Sequence, residues 1–312
     1  MTGILQSVYA NFRSFADTGI RAIFGFGNTT SAPTSVTNLV SNTGVVAADQ
    51  TLLTGTARGM LAAAGYGTDK AIFGFGNASA AVSTTNLVSN TGVVATNVSS
   101  AGTARYSLAA AGYGTDKAIF GFGVDNLAAK VAITNLVSNT GVVAANQAAL
   151  TGTIRYALAA AGYGTDKAIF GYGGDTTGTP LATTNLVSNT GVVAANQAAL
   201  TGIARDYLAA AGYGTDKAIF GYGTNTGGPA FSTTNLVSNT GVVATNVSSA
   251  GTARIGYAAA GYDIDKAIFG FGITTIYVST TNLVSNTGVV AADQALLTGT
   301  ARGYLAAASY GS

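Results

Sequence analysis

The stretch Lys117-Ala-Ile-Phe-Gly-Phe-Gly123 decides how the rest of the chain is read. Related copies begin at Arg21, Lys70, Lys167, Lys217 and Lys266, so one short apolar strand is used six times in 312 residues. The starts lie 49, 47, 50, 50 and 49 residues apart, a period typical of propellers, solenoids and arrays. Around the strand the order is constant: an Arg, an Ala-rich run into Gly-Tyr-Gly, the apolar strand, a loop, then Thr-Asn-Leu-Val-Ser-Asn-Thr-Gly-Val-Val and a polar link.

The apolar runs are too short for helices and are bounded by Gly, Asn and Thr, which predicts four short strands per unit. In the unit around residue 117 these are Arg105–Gly112, Lys117–Gly123, Thr134–Ser138 and Val142–Ala145, with Asn139-Thr-Gly as a tight turn between the last two. Ala is a poor strand former, so the Ala-rich strand is expected to lie innermost, where neighbouring sheets crowd. Residues 301–312 hold an Ala-rich strand with no apolar strand after it, and Arg21 starts an apolar strand with no good Ala-rich partner before it. Pairing the two would remove open sheet edges. The expected fold is all-β, a six-bladed β-propeller of four-stranded antiparallel blades over residues 20–312. Blade 1 would be completed by 300–310, and residues 1–19, where Arg13 breaks the Arg-to-strand spacing, would form an N-terminal arm.

Charged residues make up 8% of the chain, against about 25% in ordinary soluble domains, and the 43 glycines are about twice the usual share. There is no His, Cys or Trp. The usual zinc, haem and iron–sulfur ligand sets and the Ser-His and Cys-His pairs therefore cannot be assembled, and no cofactor or metal is expected. A net charge of +2 without a cluster of Lys and Arg argues against a nucleic-acid partner. No apolar stretch reaches 18 residues and the start lacks a basic-then-apolar pattern, so neither membrane insertion nor a secretory signal is expected.

The copies differ in an ordered way. Ser-Asn-Thr-Gly-Val-Val occurs in all six units and Tyr-Gly-Thr-Asp-Lys in four. The loops after the apolar strand share almost nothing: 28–36, 77–84, 124–133, 174–183, 224–233 and 273–280, and they hold all three prolines. A second variable spot follows the Arg: Gly59-Met60, Tyr106-Ser107, Tyr156-Ala157, Asp206-Tyr207, Ile255-Gly256 and Gly303-Tyr304. In an antiparallel meander both variable sets emerge at one end of the sheets. That end is rich in Tyr, Ser, Asp, Gly and Thr, the composition of adaptable recognition surfaces; loops left free to drift would also vary. The candidate ligand-binding residues are Met60, Tyr106, Ser107, Tyr156, Asp206, Tyr207, Ile255 and Tyr304, with Asp125, Lys130, Asp175 and Asn225 from the loops.

Arg58, Arg105, Arg155, Arg205, Arg254 and Arg302 either ring a channel mouth and hold an anion or, the blander alternative, bond backbone carbonyls. The adjacent Asp69-Lys70 and Asp116-Lys117 are expected to point to opposite faces of a strand. Asp125, Asp175 and Asp206 are the acids at the variable end, where a glycosidase would need a carboxylate pair about 5–9.5 Å apart. No enzyme activity is expected.

With an Arg, an Ala-rich strand, an apolar strand ending in glycines and a polar strand pair, the unit resembles a kelch repeat. Gly-Phe-Gly or Gly-Tyr-Gly replaces the family's double glycine, and its outer-strand Trp is absent. The resemblance covers 20–312 and implies a propeller that meets its partners at the variable end. The family's sugar-oxidising members use copper held by His, Tyr and Cys, a site that does not carry over to a chain lacking His and Cys. The Gly/Ala/Thr/Asn repeats are also similar to those of environmental bacteriophage structural and fibre proteins. That similarity implies a virion-borne or extracellular binding protein for a glycan, a cell-surface receptor or neighbouring virion structural proteins. The alternative is a purely structural building block with no ligand.

Overall fold

A computed structural model describes residues 19–51, 55–147, 152–197, 202–226, 228–294 and 299–311. The expected N-terminal arm, Gly19 apart, lies outside them. Among the described residues the chain is all β: six antiparallel sheets of three or four strands, one two-stranded ribbon and no helix.

Each sheet is built on a copy of the apolar strand. Lys117–Gly121 pairs with Ala109–Tyr113 on one side and Thr134–Val137 on the other. The first copy, Arg21–Gly25, pairs with Val36–Val40 and with the last strand of the chain, Ala306–Tyr310. Ala118, Ile119 and Phe120 have no exposed surface, so both faces of the strand are covered. This is why the sequence shows an unbroken apolar run rather than a two-residue alternation.

Glycine lets one sheet seat on the next. A Cβ on Gly74 would lie 2.6 Å from Cζ of Phe120 in the following repeat. The same contact recurs at Gly25/Phe73, Gly121/Phe170, Gly171/Phe220 and Gly221/Phe269, and Gly270 receives Phe24 of the first repeat. The Ala-rich strands crowd as expected: a Cβ at Gly112 would lie 3.2 Å from the Gly65 carbonyl oxygen. Ser309 stands where the other copies have Gly and donates from Oγ to the Gly261 carbonyl at 2.7 Å. Backbone bonds also link the constant turns: the N–H groups of Gly67, Gly114, Gly164 and Gly214 donate to the carbonyls of Asp116, Asp166, Asp216 and Asp265. Asp263 donates to Ile20 and Gly311 to Asp69, which returns the series to its start.

Three strand assignments change. The apolar strand ends at Gly121 because Phe122 and Gly123 take φ of 64° and 108°, and a left-handed backbone cannot continue a strand. The Ala-rich strand begins at Ala109 rather than Arg105, because Ser107 has φ 53°; Arg105–Tyr106 pairs separately with Val124–Asp125. Val142–Ala145 is not a strand: it makes a single bridge, Val143 to Val137, with Ser138 N–H donating to the Val142 carbonyl and Ala144 N–H to the Leu136 carbonyl, and the buried Asn135 side chain bonds the Ala144 carbonyl and Asn146 Oδ1 beyond it. A fourth strand, where described, is two residues long and lies further on, at Gln50–Thr51, Val98–Ser99 and Val247–Ser248.

Candidate functional site

The arginines define the floor of the variable end. All six are fully buried. Arg58 donates through Nε to the Phe75 carbonyl at 2.7 Å, through Nη1 to the Thr56 carbonyl and through Nη2 to Asn86 Oδ1. Its guanidinium lies over the Phe26 ring of the preceding repeat, 4.3 Å from the centroid. Arg302 repeats this across the chain ends, on Phe26 O, Thr300 O, Asn38 Oδ1 and the Phe271 ring. Burial lowers the Arg58 pKa to about 10, so it stays cationic at neutral pH. Arg58 and Arg302 thus spend their guanidinium groups on bonds between sheets, whereas Arg105 Nη2, Arg155 Nε, Arg205 Nε and Nη1 and Arg254 Nε have no hydrogen-bond partner among the described residues.

Sequence reasoning missed a partner shared by five of the arginines, the Asn of Thr-Asn-Leu-Val; only Arg105 leaves its Asn135 Oδ1 unbonded. Asn38, Asn86, Asn135, Asn185, Asn235 and Asn282 are all fully buried. Each passes the network outward, as Asn86 does to Asn97 Oδ1 and Asn97 to Thr56 Oγ1. Asn97, which opens a glycosylation-type Asn-Val-Ser, is thereby engaged. In two repeats the outer member is Asp49 or Asp293. Burial would raise the Asp49 pKa, yet hydrogen bonds from Thr300 and Asn38 and the Arg302 charge hold it below the ordinary carboxylate value. The legible signal was the invariance of this Asn beside an invariant Arg.

Above this floor the two variable sets are brought together repeat by repeat. Gly59 bridges Asn77, Tyr106 bridges Val124, Tyr156 bridges Gly174, Asp206 bridges Thr224, Ile255 bridges Ile273 and Gly303 bridges Asn28. Each variable loop therefore starts hydrogen-bonded to the residue that follows the Arg. The next positions, Met60, Ser107, Ala157, Tyr207, Gly256 and Tyr304, all have positive φ, between 50° and 59°. Their backbones join in sequence: Ser107 N–H donates to Met60, Ala157 to Ser107, Tyr207 to Ala157, Gly256 to Tyr207, Tyr304 to Gly256 and Met60 to Tyr304. These six residues and the side chains after them line one cavity of about 70 Å³.

The side chains at this mouth are unevenly distributed. The Tyr207 ring lies edge-on to Tyr156 at 6.4 Å and to Tyr304 at 5.8 Å. Lys130 Nζ sits 5.7 Å from the Tyr156 ring centroid. Asp206 is 6% exposed and its Oδ1 has no hydrogen-bond partner. Burial pushes its carboxyl up to about 6. Burial, then the charges of neighbouring groups including Asp206, also raises Tyr207. Met60, Ser107, Tyr207 and Tyr304 thus meet at the cavity, whereas Tyr106, Tyr156, Asp206 and Ile255 pair with the loops and do not line it.

The loop residues divide differently. Asp125 accepts from the Leu127 and Ala129 N–H groups, and Asp175 from Thr177 and Thr179, so both carboxylates hold their own turns. Asn225 is exposed and its carbonyl accepts from the Gly228 N–H.

At the opposite end the adjacent Asp and Lys residues form ion pairs rather than diverging. Lys70 Nζ lies 2.7 Å from Asp69 Oδ1 and Lys117 Nζ 2.8 Å from Asp116 Oδ1. The Asp belongs to the turn and not to the strand, so strand alternation does not apply to it. The lysines border a wider cavity of about 340 Å³.

No protein-family model and no curated protein sequence matches this chain.

Proposed function

We propose that the six sheets form a six-bladed β-propeller closed by Ala306–Tyr310 on Arg21–Gly25. We read it as a non-enzymatic binding protein, virion-borne or extracellular, that recognises a cell-surface partner, glycan or receptor, through its variable end. The observation that carries this reading is the bridging of every variable loop to the variable residue after the Arg, around a single mouth. Loops drifting freely would have no reason to vary together with those residues. The closed series of Gly/Phe contacts and backbone bonds supports the propeller, and the similarity to phage repeats supports the setting.

The test is a graft. Loops 174–183 and 224–233 are replaced by loop 77–84, and parent and graft are compared on a glycan array and a panel of cells. Binding is expected to change with the melting temperature preserved; identical binding by both proteins overturns the reading.

One observation favours the alternative of a structural building block. Val45, Val93, Val142, Val192, Val242 and Val289 recur at the constant end and are each about two-thirds exposed, between 65% and 66%. Unchanged binding in the graft, together with self-association in sedimentation, would support that alternative.

A further inference from the structure

Asp206 is chemically isolated among its kind. Every other described Asp either pairs with a Lys or Arg or accepts hydrogen bonds from its own turn. Asp206 has no ion pair among the described residues, is 6% exposed and keeps Oδ1 unpartnered. A buried carboxylate without a counter-charge is costly and would be relieved by a cation. The phenols of Tyr156, Tyr207 and Tyr304 each feel its charge, and the Tyr207 ring meets the other two edge-on, at 6.4 and 5.8 Å. Tyrosine faces attract ammonium groups through the ring quadrupole. One ring already does so, since Lys130 rests on Tyr156. Tyr207, the next residue in the chain, and Tyr304 line an open cavity of about 70 Å³.

We propose that Asp206, with Tyr156, Tyr207 and Tyr304, forms a binding site for an alkylammonium group carried by the protein's partner. This rests on the variable end being the recognition surface and names the chemistry it recognises. A lysine side chain and a choline-type head group both present that cation. The Asp206 carboxylate supplies the counter-charge and the rings supply the walls. Because the Asp206 carboxyl is pushed up to about 6, cation binding weakens on acidification through that value. Of the charged groups coupled to these rings, Asp175 is held below the ordinary carboxylate range by its own turn, the phenols, all raised, titrate above that window, and Lys130 rests on Tyr156.

The experiment is titration of the ¹⁵N-labelled full chain with methylammonium chloride and with tetramethylammonium chloride, against sodium chloride at matched ionic strength. Saturable shifts confined to the mouth are expected at millimolar concentrations. Tighter binding of methylammonium indicates a lysine-type source and tighter binding of tetramethylammonium a choline-type source; both support the proposal. Asp206→Asn should weaken binding roughly tenfold and remove its pH dependence. Tyr304→Ala, acceptable to a backbone that already carries Ala157 at the equivalent place, should weaken it severalfold while the melting temperature holds. Shifts equal to those with sodium chloride, or undiminished binding in both variants, overturn the proposal. If the ammonium ions fail while the loop graft still changes partner binding, this inference falls and the recognition reading stands.

Discussion

The two ends of the sheets share a backbone plan and differ in what is done with charge. At each end backbone hydrogen bonds pass from repeat to repeat and return to their start. At the constant end every described Asp has its Lys, at 2.7 to 3.1 Å in the copies from Asp69 to Asp216. At the variable end Asp206 is buried without a cation, beside tyrosines packed edge to face. The shared plan belongs to the scaffold. The difference marks where free energy of interaction is left for something outside the chain, because an unpaired buried carboxylate has more to gain from a ligand than a paired one on the surface.

Three experiments act on that comparison. The largest effect is expected in the scaffold that both ends share. Gly74→Val drives its Cβ into Phe120, and Gly270→Val does the same to Phe24 across the chain ends. Overpacking of this kind should cost about 2–3 kcal/mol at either site, read from urea denaturation. Equal losses sharpen the propeller reading; a loss at Gly74 with none at Gly270 breaks it.

Asp206→Asn comes next. The folded-state carboxyl sits at about 6 against an ordinary 3.8, so the native state holds its proton more tightly than the unfolded chain. Stability of the parent should therefore fall as pH rises from about 4 through 6, and the variant should lose that slope. Above pH 7 the variant should be the more stable, by on the order of 1 kcal/mol after solvent screening at the cleft is allowed for. Parallel pH–stability curves for the two proteins would mean that Asp206 is not desolvated.

The smallest effect belongs to the constant end. Lys117→Ala removes one member of an ion pair whose lysine side chain is 45% exposed, and the denaturation midpoint should not move. A clear loss would show that the constant end stores stability in charges rather than in its backbone bonds.

Much of the scaffold was legible because each unit repeats one physical problem. The strand Lys117–Gly121 is apolar throughout because a sheet covers each face, and the Ala-rich strand is small because its neighbours approach within contact distance. The bounds were less legible. Phe122 and Ser107 adopt positive φ, which no propensity assigns to a Phe or a Ser, and those two kinks end one strand and delay the next. The fourth strand was misplaced because the pairing after the turn stops at one bridge, Val143 to Val137, where the buried Asn135 side chain takes the next carbonyl, and nothing local says which Asn will be buried. For the site, the variable end could be read from comparison of the copies. The division of labour within it could not: Asp125 and Asp175 look like Asp206 in sequence but spend their oxygens on their own turns.

The sequence by itself determined that the chain is an all-β array of antiparallel repeats with one constant and one variable end, since period, turn residues and missing residue types are local properties. Tertiary structure alone decided which side chains are free to act. Arg58 and Arg302, charged and available on paper, are consumed between sheets by carbonyls, an Asn and an aromatic ring. Asp206 has no ion pair among the described residues, and the groups that feel its charge are tyrosines. Pairing and burial depend on neighbours tens of residues away, and a carboxylate's chemistry follows from its surroundings rather than from its place in the repeat.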